Sequence, residues 1–150
     1  MRTVALDGVK EAVADLFGQD PDVIAVYLFG SAARGSAGPG SDVDLAFLMG
    51  RGFDRMERFD FVLDANVRLE EALGIAVDVV LLNGADPVLQ QEVRRLHALV
   101  LERDRSARLE WEVWSRKLWF DRQPAHRRYM NALSERYQRE DSHGRSPRGG

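Results

Sequence analysis

Three aspartates stand where apolar strands would otherwise run on. Asp42 and Asp44 open the segment Val43 to Met49, and Asp78 interrupts Ile75 to Leu82, IAVDVVLL. Residues two apart on a strand point to the same face, so the carboxylates of Asp42 and Asp44 project together. A carboxylate buried among such neighbours costs on the order of several kcal/mol unless it is paired. No Lys or Arg lies in these strands to pair with them. Three clustered carboxylates also repel one another, and a divalent cation resolves burial and repulsion together. Oxygen-only donors favour Mg²⁺, which is held by a few carboxylates together with substrate phosphates. Two such ions, roughly 3.5–4 Å apart, can stabilise the attacking and leaving oxygens of an in-line phosphoryl displacement.

The phosphate half of that chemistry lies just upstream, in Gly30-Ser31 and the glycine-rich stretch after it. Gly30 lets the backbone turn sharply and come close to a ligand. The following N–H groups and the Ser31 hydroxyl are then placed to hold phosphate oxygens at a helix start. Arg34 adds a cation to the loop, while Gly35, Gly38 and Gly40 keep side chains out of the way. Each piece has a plainer reading: Gly30-Ser31 as a simple turn, Asp42 after Pro39-Gly40-Ser41 as turn chemistry, Arg34 as half of a surface ion pair. The three aspartates together weigh against those readings.

The elements that must position these residues can be read from periodicity. Val9, Ala12, Val13, Leu16 and Phe17 make a short amphipathic helix over 8–18, closed by Gly18 and Pro21. Val23 to Phe29 is an apolar run rich in β-formers, as a buried central strand requires. In the strand Val43 to Met49, residues Val43, Leu45 and Phe47 share the face opposite the aspartates. Residues 53–73 suit a longer helix with Met56, Phe59, Leu63 and Val67 as its core stripe and Gly74 as its stop. Ile75 to Leu82 reads as a third buried strand, and Asp86-Pro87 as a helix start. The stripe Leu89, Val93, Leu96 and Val100 continues that helix. Ser106 to about Phe120 carries Trp111, Trp114 and Leu118 at helical spacing, Pro124 interrupts, a short helix spans Tyr129 to Tyr137, and the tail is expected to be disordered. Strands alternating with helices imply an α/β layer structure. A loop alone joins the first two strands, so they are expected to be antiparallel neighbours.

Composition bounds the rest. The 150 residues include 45% hydrophobic and 30% charged side chains and no cysteine, which removes disulfides, thiolate zinc sites and cysteine nucleophiles. Charges interrupt every apolar run before it reaches membrane-spanning length, and the N-terminal stretch lacks a signal-peptide core, so a cytoplasmic protein is expected. The net charge of −3 is uneven: residues 1–102 hold 9 basic and 17 acidic side chains, and 103–150 hold 12 and 7. A basic C-terminal segment is read first as a solvated helix face, so direct nucleic-acid binding is not expected. His97, His126 and His143 are scattered, with no second ligand at metal spacing. The tryptophans are read first as packing against their own domain, and Arg122, Arg127 and Arg128 as a solvated face.

GSAARG followed by SDVDL resembles the signature of the DNA-polymerase-β-like nucleotidyltransferases, with Asp78 of VDVV as the third aspartate. The short chain, LLNGADPVLQQEVRRLHALVLERD and LWFDRQP are similar to minimal nucleotidyltransferases, the MntA-type antitoxins of HEPN/MNT toxin–antitoxin pairs. The likeness covers roughly residues 10–125. It implies a nucleotidyltransferase fold, a small mixed sheet flanked by helices with a helical C-terminal segment. The corresponding division is a core over 1–105, a helical segment over 106–138 and a tail over 139–150. It also implies transfer of AMP from ATP with Mg²⁺, as two ions, onto a tyrosine of a cognate HEPN ribonuclease toxin held in a hetero-oligomer. Asp42 and Asp44 would then bind both metals, and Asp78 the catalytic one, while helping to activate the acceptor. Gly30, Ser31, Arg34 and Ser41 make up the implied nucleotide-binding set. Two rivals remain open at this point: a nucleotidyltransferase acting on a small antibiotic-type molecule, and a non-catalytic toxin-binding module.

Overall fold

The computed structural model describes residues 5–30, 42–95 and 97–144, the side chains of 123–126 and 141–144 excepted. It falls into two compact units, Met1–Ser115 and Arg116–Gly150. The first is built around one mixed four-stranded sheet. The strands β1 (Val23–Phe29), β2 (Val43–Met49), β3 (Val77–Leu81) and β4 (Ala98–Glu102) are arranged in the order β3-β2-β1-β4. β1 and β2 are antiparallel, as the short connection requires, with Phe29 opposite Asp44. β3 runs parallel to β2, with Asp44 and Asp78 as register partners.

Alternation along the strands divides the core in two. One face carries Val26, Leu28, Val43, Leu45, Phe47, Val77 and Val79 under α1 (Leu6–Phe17) and α2 (Arg55–Leu73). Its centre is aromatic: Phe17 meets Phe47 edge-on at 4.9 Å, and Phe61 packs against both. The other face gathers Ala25, Tyr27, Phe29, Ala46 and Leu48. Leu82, Val93 of α3 (Pro87–Arg95) and Trp111 of α4 (Arg105–Gly144) lie against them.

Local signals place the helix ends. Asp54 and Glu57 form a capping box at the start of α2, and Gly74 ends it with φ +70°. Asp86 Oδ1 accepts from the Val88 N–H at 2.7 Å, with Pro87 in the first turn as expected.

Four expectations need correction. Residues 98–102 form an edge strand rather than more helix. β1 pairs with β2 on one side only, so its other backbone edge needs a partner, and β4 fills that place, Tyr27 opposite Leu99. The stripe of α2 is also reversed. Ala65 and Leu69 are buried, with Phe61, Val62 and Leu73 beside them, whereas Met56, Phe59, Leu63 and Val67 face solvent. The helix carries two apolar lines, and the aromatic cluster around Phe61 selects the inner one. β3 is an edge strand on which Asp78 is exposed, not a fully buried one.

Finally, α4 runs unbroken through Pro124 to Gly144, where a break, a short helix and a disordered tail were expected. A proline inside a helix costs about 3 kcal/mol, which the long helical runs on either side override here. Within the second unit, that helix is the one described element.

Candidate active site

The site begins where β1 ends. Gly30 follows Phe29 with φ +72°, a conformation that L side chains rarely adopt. A Cβ built there would stand 2.3 Å from Asp44 Oδ2 and 3.2 Å from its carboxyl carbon. The glycine is therefore needed twice, for its backbone angle and for the notch that receives the Asp44 carboxylate. Antiparallel register explains the contact: Phe29 faces Asp44 across the β1–β2 pair, so the next residue passes over that side chain.

Asp42, Asp44 and Asp78 all belong to one face of the sheet, the face of Ala46 and Leu48. Asp42 lies just before β2 and is exposed, Asp44 is half-buried, and Asp78 is exposed on β3. The cost of burial therefore applies to Asp44 alone. Burial pushes the Asp44 carboxyl above its ordinary value, and the carboxylates of Asp78, Asp42 and Glu92 push it further in the same direction. Glu92 was not foreseen. It stands on α3, next to Val93, which packs over the same sheet face, and only the docking of that helix brings a fourth negative charge to Asp44.

The supports around this face are side-chain bonds to backbone. Asn83, just beyond β3, pairs with the end of β2 like an extra strand residue: its Oδ1 accepts from the Met49 N–H at 2.8 Å and its Nδ2 donates to the Met49 carbonyl at 2.9 Å. Buried Gln90 donates to the Leu82 carbonyl at 3.0 Å, tying α3 to the end of β3. Asn66 accepts from the Val79 N–H and Glu70 from the Val77 N–H, so α2 anchors both sides of Asp78. None of these four polar residues carries a sequence signal apart from its tertiary partner.

Among the described residues, no group of three or more His, Asp and Glu side chains forms a metal site by itself. Mg²⁺ is ordinarily held by one or two carboxylates plus substrate phosphates and waters rather than an all-protein cage. The observation that favours a cation is Asp44 itself, an oxygen donor locked in the Gly30 notch and pressed by three further carboxylates. Ser31, Arg34 and Ser41, expected to hold the nucleotide, lie outside the described residues, as do Gly35, Gly38 and Gly40.

The His97 ring packs edge-on against Tyr27 at 4.9 Å, and its Nδ1 lies 2.8 Å from the Val93 carbonyl. Tyr27 donates to Glu112 Oε1 at 3.1 Å, and Arg108 pairs with Glu112 and Glu102. Burial, then the Glu112 charge, pushes the Tyr27 phenol strongly up, so it stays neutral. The tryptophans divide: Trp111 is buried in the core, Trp119 is half-buried and Trp114 is exposed. Arg122, Arg127 and Arg128 lie on exposed helix, and the side chains of His126 and His143 fall outside the described residues. No described helix is long and apolar enough to cross a membrane.

Residues 11–106 match the family model described as polymerase beta, nucleotidyltransferase. No curated protein matches the chain. Solved structures do. A toxin–antitoxin crystal structure with AMP-PNP aligns with a TM-score of 0.67 at 22% identity, over 87% of this chain and 99% of that one. A chain from the tri-AMPylated HEPN toxin of Shewanella oneidensis in complex with MNT antitoxin aligns with a TM-score of 0.65, 21% identity and the same coverage. A toxin–antitoxin MntA–HepT crystal structure gives 0.64, again at 21% identity and with that coverage. At such identities the likeness establishes a shared fold.

Proposed function

The chain belongs to the polymerase beta nucleotidyltransferase family, and we propose that it transfers AMP from ATP to a tyrosine of a HEPN-type toxin, acting as that toxin's antitoxin. The observation that carries the transfer chemistry is Asp44, seated in the notch of Gly30 and crowded by Asp78 and Asp42. Supporting the acceptor are the folds shared with solved toxin–antitoxin assemblies, one with AMP-PNP and one with an AMPylated toxin. In this reading the protein works in the cytoplasm, in a hetero-oligomer with its toxin. Residues 1–105 form the catalytic core and 106–138 a helical segment, whose helix continues to Gly144.

In the proposed reaction the acceptor hydroxyl oxygen bonds to the α-phosphorus, the bond from that phosphorus to the β-bridging oxygen breaks, and pyrophosphate leaves. Asp42 and Asp44, with Asp78, would hold Mg²⁺, which when bound neutralises triphosphate charge and polarises the phosphoryl oxygens. Gly30 leaves room for the Asp44 carboxylate of β2, and Ser31, Arg34 and Ser41 would bind the phosphates. Asp78, exposed and in register with Asp44, would take the proton lost by the acceptor hydroxyl. Glu92 and Asp78 both bring negative charge to Asp44, so a cationic rim on the acceptor would be drawn to them.

The test is intact-mass analysis of a co-purified helical toxin incubated with the chain, ATP and Mg²⁺. The expected result is addition of AMP to a tyrosine, lowered by about 10²–10³-fold or more in Asp44→Asn protein, as for removal of a principal electrostatic group. Equal transfer by the variant sinks the proposal. Neutralisation of the toxin by Asp44→Asn protein without any mass change would instead favour a binding module.

A further inference from the structure

On the sheet face away from the carboxylates, α2 turns an apolar line toward solvent. Met56, Phe59, Leu63 and Val67 follow one another at helical spacing and are between 48% and 67% exposed. Single exposed apolar residues are ordinary, but a continuous line of large ones marks a surface that is covered in use. Asp60, Asp64 and Glu71 run along one edge of it, and Glu70 stands at its end. Asp64 has Arg68 as an ion-pair partner at 3.3 Å, which leaves the edge acidic overall.

The second unit offers the complement. On the distal part of α4, Tyr129, Met130, Leu133 and Tyr137 share one helical face, and Tyr129 and Tyr137 are 63% and 68% exposed. Arg122, Arg127 and Arg136 border that face. Residues 116–140 hold 7 basic side chains against 3 acidic ones. Within this unit no other described element covers the face.

We infer that the acidic-edged apolar line of α2 in one protomer receives the basic-edged aromatic face of α4 in a second copy of this chain. A two-fold arrangement makes the contact reciprocal, so six aromatic rings are covered, each worth about 150–250 Å² of burial. Two such contacts reach the range of a standard interface, about 1,600 Å².

Sedimentation velocity of the full chain from low to high micromolar concentration tests this. A concentration-dependent dimer is expected. Leu63→Asp should keep the helical circular dichroism, and the Tm at concentrations where the wild type is itself monomeric, while sedimenting as a monomer throughout. Asp60→Arg/Asp64→Arg on α2, or Arg122→Glu/Arg136→Glu on α4, should each weaken the dimer by about 10-fold or more. The two charge reversals combined should recover most of that affinity. A wild-type chain that stays monomeric, or a dimer indifferent to Leu63→Asp, overturns the inference. So do charge reversals that merely add. A monomeric chain whose Leu63→Asp variant loses a co-expressed toxin overturns it too, and assigns the line to that partner.

Discussion

Gly30 and Asp44 bear on each other at the scale of single atoms. Gly30→Ala places a methyl group 2.3 Å from Asp44 Oδ2 and forces an L residue to φ +72°. The expected cost is about 1–3 kcal/mol, read by chemical denaturation, with loss of transfer activity even where folding is retained. Asp44 should also govern a pH dependence. Its carboxyl is raised by burial and by Asp78, Asp42 and Glu92. Between the ordinary carboxylate range and the raised value, the folded chain holds a proton that the unfolded chain releases. Stability therefore falls as pH rises through that window and stays lower above it. Mg²⁺ favours the ionised form, so it should raise Tm more at neutral pH than below the window. Asp44→Asn should raise the metal-free Tm at neutral pH and remove most of the Mg²⁺ effect. Each ~1 kcal/mol of relieved repulsion corresponds to about 2–4 °C in a domain of this size. Thermal melts with and without Mg²⁺ across this pH range check both statements.

At the level of elements, α2 offers a direct comparison, because one helix carries an inner and an outer apolar line. Leu69→Ala should cost about 2–5 kcal/mol, since Leu69 is fully buried against the sheet. Leu63→Ala, on the outer line of the same helix and 53% exposed, should stay within about 0.5 kcal/mol. Equal losses in urea unfolding would mean that the outer line packs inward after all. Asn83→Ala belongs to the same scale. It removes both bonds to Met49 at the end of β2 and should cost about 1–3 kcal/mol through the backbone groups left unpaired.

Across the whole molecule, stability should be uneven. The core unit closes two apolar clusters around the sheet, while a single helix is the one described element within the second unit. Amide exchange should accordingly be slowest in β1 and β2, which open only with the whole unit, and fast in residues 116–144, which fray locally. Protection over Tyr129 to Tyr137 that rises with protein concentration is the signature expected of a second copy covering that face. Fast, concentration-independent exchange there would leave the face uncovered.

Much of this protein was already legible in residue order, because its strongest signals are local. Val23–Phe29 and Val43–Met49 were readable as strands from their β-branched and apolar runs. The end of α2 was readable from Gly74 and the start of α3 from Asp86-Pro87, and the candidate site from the spacing of Gly30, Asp42 and Asp44. These depend on geometry within a few residues of chain. Other features were settled in three dimensions. The segment 98–102 became a strand because β1 had an open edge to fill, and α2 buried its Leu69 side because Phe61 fits the cluster of Phe17 and Phe47. Glu92 reached Asp44 only when α3 docked over the sheet. In each of these cases the competing local readings were close in energy, and the choice fell to contacts between residues far apart in the chain.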